Sequence, residues 1–105
     1  MKDVRRRYLA LHVDSAESFS SGELMSVVWN AVMKLYGEYG ASQAGLRLIS
    51  YEPQERFGIV RVGHRNLDMV RASLASITSI ESRPATVHVL RVSGTIKALK
   101  KKTDL

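Results

Sequence analysis

A chain of 105 residues that is 45% apolar with only two prolines is long enough to bury one core, too short for two, and too apolar for a disordered polymer. It has no cysteine, which excludes a disulfide framework and a thiolate zinc site, and no apolar run approaches the length of a membrane span. Sixteen Lys and Arg against ten Asp and Glu give a formal charge of +6, and the basic residues bunch at both ends, a distribution that points to a polyanionic partner.

The opening MKDVRRRYLALHV lacks the long apolar stretch and small-residue cleavage site of a secretory signal, so the expectation is a single cytoplasmic domain over residues 1–105. Arg7 to Asp14, RYLALHVD, alternates as a strand, with Leu9, Leu11 and Val13 facing one side and Tyr8, Ala10 and His12 the other. The loop after it ends in a helix start. Ser20 at the cap and Glu23 three residues on form the pair in which each side chain satisfies the other's free backbone N–H. That helix is expected to run to about Tyr36, where Gly37 and Gly40 offer a left-handed stop.

Gly45 to Tyr51 and Phe57 to Gly63 are short apolar runs on either side of EPQER, a hairpin with a proline-bearing turn. Asn66 can cap a second helix in which Leu67, Val70, Leu74 and Ile77 share a face, and Pro84 lies beyond its end. A last strand, Thr86 to Val92, leads into a tail. There Gly94 breaks the strand, Thr95 can cap a short helix, and Ile96 with Leu99 can anchor it, so that residues 94–102 form a docked basic element and only the closing TDL is expected to fray. The order β–α–β–β–α–β is the split βαβ signature of an α+β, ferredoxin-like or RNA-recognition-like sandwich. Its expected form is a four-stranded antiparallel sheet with two helices on one face and a short C-terminal helix.

A fold of this kind hosts unrelated activities, so function must come from sites. His12, His64 and His88 stand alone, without the closely spaced second ligand of a metal site, and read as solvated or hydrogen-bonded structural histidines. Glu52 and Glu55 flank a turn. The loop between the first strand and first helix holds Asp14 and Glu17, the wrong sign for cradling phosphate, and SGTIK lacks the glycine and the Gly-Lys-Ser/Thr order of a nucleotide-binding loop. No residue is assigned to catalysis or to metal binding.

Nucleic acid fits the charge better. The stretch ERFGIVRV matches an RNA-recognition strand at Phe57, Gly58 and Val60, but has Ile59 and Val62 where rings stack on bases. The face bearing Tyr8, Ala10, Phe57 and Ile59 is apolar enough to require a cover, either the C-terminal helix or a partner. Arg5, Arg6, Arg7, Arg61, Arg65 and Arg91 lie on or near strands expected to be neighbours, and their reading is phosphate neutralisation; the alternative is a scatter of surface arginines. In the tail, Lys97, Lys100, Lys101 and Lys102 extend that charge, and the free N–H groups of the capped helix suit a phosphate.

The first helix has two apolar stripes. Leu24, Val28, Ala31, Leu35 and Tyr39 form one, suited to packing on the sheet. Beside it run Met25, Trp29, Val32, Met33 and Tyr36, which fit a protein interface, through Met25, Trp29, Met33 and Tyr36, or else a wide core band or a surface covered by the tail.

RRRYLALHV at the start, SVVWNAVMKLYGEYGAS, FGIVRVGHRNLDMVRASLASI and HVLRVSGTIKALKKK at the end together resemble the ribonuclease P protein component 2 family, the archaeal form of a subunit shared with eukaryotes. The resemblance covers nearly the whole chain, in order. It implies a non-catalytic subunit of the ribonucleoprotein that removes the 5′ leader of precursor tRNA, with chemistry carried by the RNA and its Mg2+ ions and no cofactor bound by the protein. The implied partners are ribonuclease P RNA, protein component 3 and the other protein subunits. The terminal motif carries over as Ser93, Gly94, Thr95, Ile96 and Lys97; for Arg5 to Arg7 the RNA role is read from charge. The rival reading is an interaction or regulatory module of the same fold that binds a protein or small molecule on its sheet.

Overall fold

The alternation in RRYLALHVD puts it at the centre of the sheet, as β1 (Arg6–Asp14), in the computed structural model, which describes residues 5–103 and side chains as far as Leu99. After β1 come α1 (Ser21–Gln43), β2 (Arg47–Glu52), β3 (Phe57–Gly63), α2 (Leu67–Ala75), a two-residue pair β4 (Ser79–Ile80) and β5 (Arg83–Pro84), then β6 (Thr86–Ser93) and α3 (Ile96–Thr103). The main sheet has the order β2-β3-β1-β6 and every pairing in it is antiparallel. This is the expected ferredoxin-like arrangement, with β1 flanked by β3 and β6.

Period-two alternation gives the sheet two apolar faces. On one, Leu9, Leu11 and Val13 of β1, Val60 and Val62 of β3 and Val87 of β6 pack against Leu24 and Val28 of α1 and Val70 and Leu74 of α2. On the other, Ala10 and Ile59 are buried with Leu99 of α3, and Tyr8, Ile49 and Phe57 pack around them. The cover that this face requires is therefore the chain's own C-terminal helix. Between Ala10 and Leu11 the β1–β6 register shifts, so that Ala10 opposes Arg91 and Leu11 opposes Val89. The bulge leaves Leu90 between them, exposed.

The cap of α1 forms as expected: the Glu23 N–H donates to Ser20 Oγ at 3.1 Å and the Ser20 N–H to Glu23 Oε1 at 2.9 Å. The straight helix stops at Gly37, whose φ of 77° and ψ of 175° suit glycine alone. Gly40 is not a stop. A further helical segment runs to Gln43, and a Cβ at Gly40 would lie 2.8 Å from Tyr36 Cβ.

The stripes of α1 also differ from expectation. Val32, placed in the second stripe, is fully buried with Leu24 and Val28, whereas Leu35 and Tyr39, placed in the first, are 49% and 78% exposed. The core line follows steps of four residues, and the break at Gly37 ends the helical phase before Tyr39.

Asn66 does not cap α2. A single turn of 3-10 helix (His64–Asn66) precedes that helix, and Asn66 Nδ2 donates to Gln43 O at 2.7 Å, tying the start of α2 to the end of α1. The β4–β5 hairpin was not foreseen. Its turn residues Glu81 and Ser82 have φ of 52° and 66°, a conformation that Asn-Gly would advertise and Glu-Ser does not. Arg83 then fastens the hairpin to the start of α1, with Nη1 3.0 Å from Glu17 Oε1, Nη2 3.2 Å from Glu23 Oε2 and its guanidinium 4.5 Å from the centre of the Phe19 ring. α3 extends through Thr103, one residue past the expected fraying point; Asp104 and Leu105 lie outside the described residues. No described helix is long and apolar enough to cross a membrane.

Candidate nucleic-acid interface

Antiparallel pairing gathers the starts of β1 and β2 and the ends of β3 and β6 at one end of the sheet. The chain puts arginines at each of these places. Arg5 and Arg6 are exposed at the start of β1 and Arg91 is exposed on β6; Arg61, on β3, is half-buried, and Arg65 is exposed in the turn that leaves β3. The Arg5 carbonyl accepts from the His64 N–H at 2.8 Å, which holds the two chain segments together. Arg7 is braced within its own strand, with Nη1 donating to Arg6 O at 3.0 Å.

The register sorts these side chains by face. Arg47, Arg61, Tyr8 and Ser93 stand side by side on β2, β3, β1 and β6, and Arg6 and Arg91 are one step of two residues to either side on the same face. This is the face that carries α3. Arg7 opposes Val62 and so belongs to the α1/α2 side. Arg47 was missed in the sequence, where it stands alone between two apolar runs; only the β2–β3 register shows that it neighbours Arg61.

Most of the described acids lie elsewhere, the exceptions being Asp68 in the first turn of α2 and Glu38 near the end of α1. Asp14 ends β1, Glu52 ends β2 and Glu55 is in the β2–β3 turn, all at the far end of the sheet. The ion pairs among the described residues, Arg83 with Glu17 and Glu23 and the 3.8 Å approach of His88 to Asp14, gather there too. None involves an arginine of the basic end. Arg61 Nε is buried and has no hydrogen-bond acceptor among the described residues.

The tail adds a fixed element. Thr95 caps α3, its Oγ1 accepting from the Ala98 N–H at 3.1 Å, and the Thr95 N–H donates to Ser93 Oγ at 3.4 Å. Gly94 leaves β6 without a positive φ. Leu99 is fully buried, Ile96 half-buried and Lys97 exposed. The side chains of Lys100, Lys101 and Lys102 lie outside the described residues. By seating Leu99 on Ala10 and Ile59, α3 closes the surface on which an RNA-recognition strand would stack bases, and leaves Phe57 half-buried beside it.

Of the expected interface residues, Trp29 is 39% and Tyr36 43% exposed, and Met33 lies between them half-buried. Met25 packs against the main core and belongs to its edge. His12 opposes His88 across β1 and β6. No group of three or more described His, Cys, Asp or Glu side chains is arranged to hold a metal ion. A shallow groove of about 390 Å³ between α1 and residues 76–79 is lined by apolar and hydroxyl side chains with Asn30 and Lys34.

Residues 7–103 match the model of the Rpp14/Pop5 family. The chain is 35% identical over 98 residues to ribonuclease P protein component 2 of Pyrococcus abyssi, covering 93% of this chain and 83% of that protein. It is 35% identical over 99 residues to the protein of the same name from Methanosarcina mazei, covering 94% of this chain and 84% of that one. A chain in the cryo-EM structure of yeast ribonuclease MRP has the same fold, with a TM-score of 0.74 at 18% identity over 90% of this chain and 78% of that chain. With the match running from β1 to the last residue of α3, the chain belongs to the Rpp14/Pop5 family.

Proposed function

We propose that this protein is a subunit of ribonuclease P, the ribonucleoprotein that removes the 5′ leader of precursor tRNA, and that it acts on the RNA by neutralising phosphates. The observation that carries the reading is the basic end of the sheet, where arginines from all four strands gather without a carboxylate partner among the described residues. Family membership supports it. In this reading the protein supplies no catalytic group and binds no cofactor; the RNA holds the Mg2+ ions and performs the hydrolysis in the cytoplasm. Cations placed against crowded phosphates displace counterions and lower the cost of folding the RNA, which reduces the Mg2+ needed for activity.

Protein component 3 and the other protein subunits are the proposed protein partners, and the flank of α1 with exposed Trp29 and Tyr36 around half-buried Met33 is the surface offered to component 3. The rival module reading needs a free apolar sheet, and α3 occupies that surface. Reconstituted cleavage of precursor tRNA at limiting Mg2+, with the RNA and component 3 and with or without this protein, tests the proposal. Cleavage should depend on the protein and the dependence should fade as Mg2+ rises. Equal cleavage in its absence at limiting Mg2+ would refute it.

A further inference from the structure

We infer that the α3-bearing face of the basic end holds helical RNA by its backbone, with one arginine from each strand on the phosphates and no unstacked base on the sheet. The inference rests on the ribonuclease P reading and specifies the form of RNA that its basic site accepts.

Two observations point this way. The first is the arrangement of Arg6, Arg47, Arg61 and Arg91, which come from β1, β2, β3 and β6 and share one face at one end of the sheet. Neighbouring strands are about 4.8 Å apart, so the four strands spread these charges over about 14 Å. That is a surface for several phosphates rather than a pocket for one. Arg61 is the fixed member: it is half-buried beside Tyr8 and its Nε is closed off from solvent, which holds the side chain in place on the sheet. Arg47, exposed and directly opposite it, supplies the outer half of a two-arginine clamp.

The second is the closed platform. Sequence-tolerant binding of single strands depends on exposed rings on which successive bases stack. Here Tyr8 and Phe57 are half-buried against Ala10, Ile59 and Leu99, so α3 crowds both rings of the surface on which bases would stack. What remains accessible is charge. A helical RNA has paired bases turned inward and a dense double row of phosphates beside a wide, shallow minor groove, and it asks nothing of the covered sheet.

The test compares a short RNA duplex with an oligouridine carrying the same number of phosphates, using fluorescence anisotropy between about 50 and 200 mM salt. The duplex should bind more tightly, and two duplexes of unrelated sequence should bind within about twofold of each other. Each phosphate contact contributes about 0.9 to the slope of log affinity against log salt, so Arg47→Ala/Arg91→Ala should lower the duplex slope by about 1.8. Both side chains are exposed, which keeps this variant folded, while Arg61→Lys retains the charge and should weaken the duplex by losing the guanidinium fork. Arg71→Ala, on the exposed surface of α2, should leave the slope unchanged. Oligouridine binding as tight as the duplex, or an unchanged slope in the double variant, would overturn the inference and leave the ribonuclease P reading standing. No binding of either RNA at the lowest salt would overturn both.

Discussion

Replacing Leu99 by Ala tests whether α3 is a docked part of the fold or an appendage. Leu99 is fully buried in the small cluster with Ala10 and Ile59, on the opposite face of the sheet from the main core. Burying a leucine side chain contributes about 1.5–3 kcal/mol. Truncation to alanine should therefore cost about 2 kcal/mol, a drop of about 30-fold in the ratio of docked to undocked α3. A helix of eight residues is too short to persist alone in water, so undocking is also unfolding of that segment. The effect should stay local, because the main core against α1 and α2 does not include Leu99. Native-state hydrogen exchange measures it. The amides of Ala98, bonded to Thr95 Oγ1, and Leu99, bonded to Thr95 O, should exchange about 30-fold faster, while those of Leu11 and Val60 keep their protection. Leu11→Ala, in the main core, should instead lower protection throughout by about 2–5 kcal/mol. Unchanged exchange in α3, or an equal loss at every amide in Leu99→Ala, would refute the two-core account.

The Tyr51 hydroxyl is buried without a hydrogen-bond partner among the described residues, so Tyr51→Phe should be neutral or stabilising in denaturant melts; a large loss of stability would show a hidden acceptor. Burial pushes the same phenol above its ordinary 10.0, with Arg56 pulling it partly back and Glu23 pushing it further up. The folded state then keeps a proton that the unfolded chain releases, so stability should fall as pH rises above about 10, and Tyr51→Phe should remove that part of the alkaline loss. Arg83→Ala removes the contacts to Glu17, Glu23 and Phe19 together and should lower Tm, with Arg83→Lys intermediate because it keeps charge without the fork; equal Tm in Lys and wild type would mean that charge alone matters. Trp29→Glu should abolish capture of protein component 3 in a pull-down while Tm stays within a few degrees of wild type, and retained capture would return that ring to a packing role.

Local chemistry wrote much of this architecture into the chain. The alternation of Leu9, Leu11 and Val13, the reciprocal Ser20–Glu23 cap, the break at Gly37 and the Thr95 cap each depend on residues within one or two turns of each other, and each is found where the spacing puts it. The β–α–β–β–α–β order follows from those signals, and the order leaves few ways to bury the apolar faces. The notable failures are of two kinds, one in a turn and one across two helices. Glu81 and Ser82 adopt a turn whose usual glycine and asparagine are absent, and Asn66 reaches across to Gln43 instead of capping its own helix.

The site was less legible, because charge clustering is a property of register. Arg6, Arg47, Arg61 and Arg91 are far apart along the chain, and nothing short of strand pairing says that they share one face and one end while Asp14, Glu52 and Glu55 go to the other. The apolar patch formed by Tyr8, Ala10, Phe57 and Ile59 was visible in the sequence, and so was its need for a cover. Tertiary structure decided the occupant: Leu99 fills it, since burying that side chain on the chain's own sheet needs no second molecule. The sequence by itself determined the elements, their order and a basic character; the long-range pairing of strands turned that character into a surface with a direction.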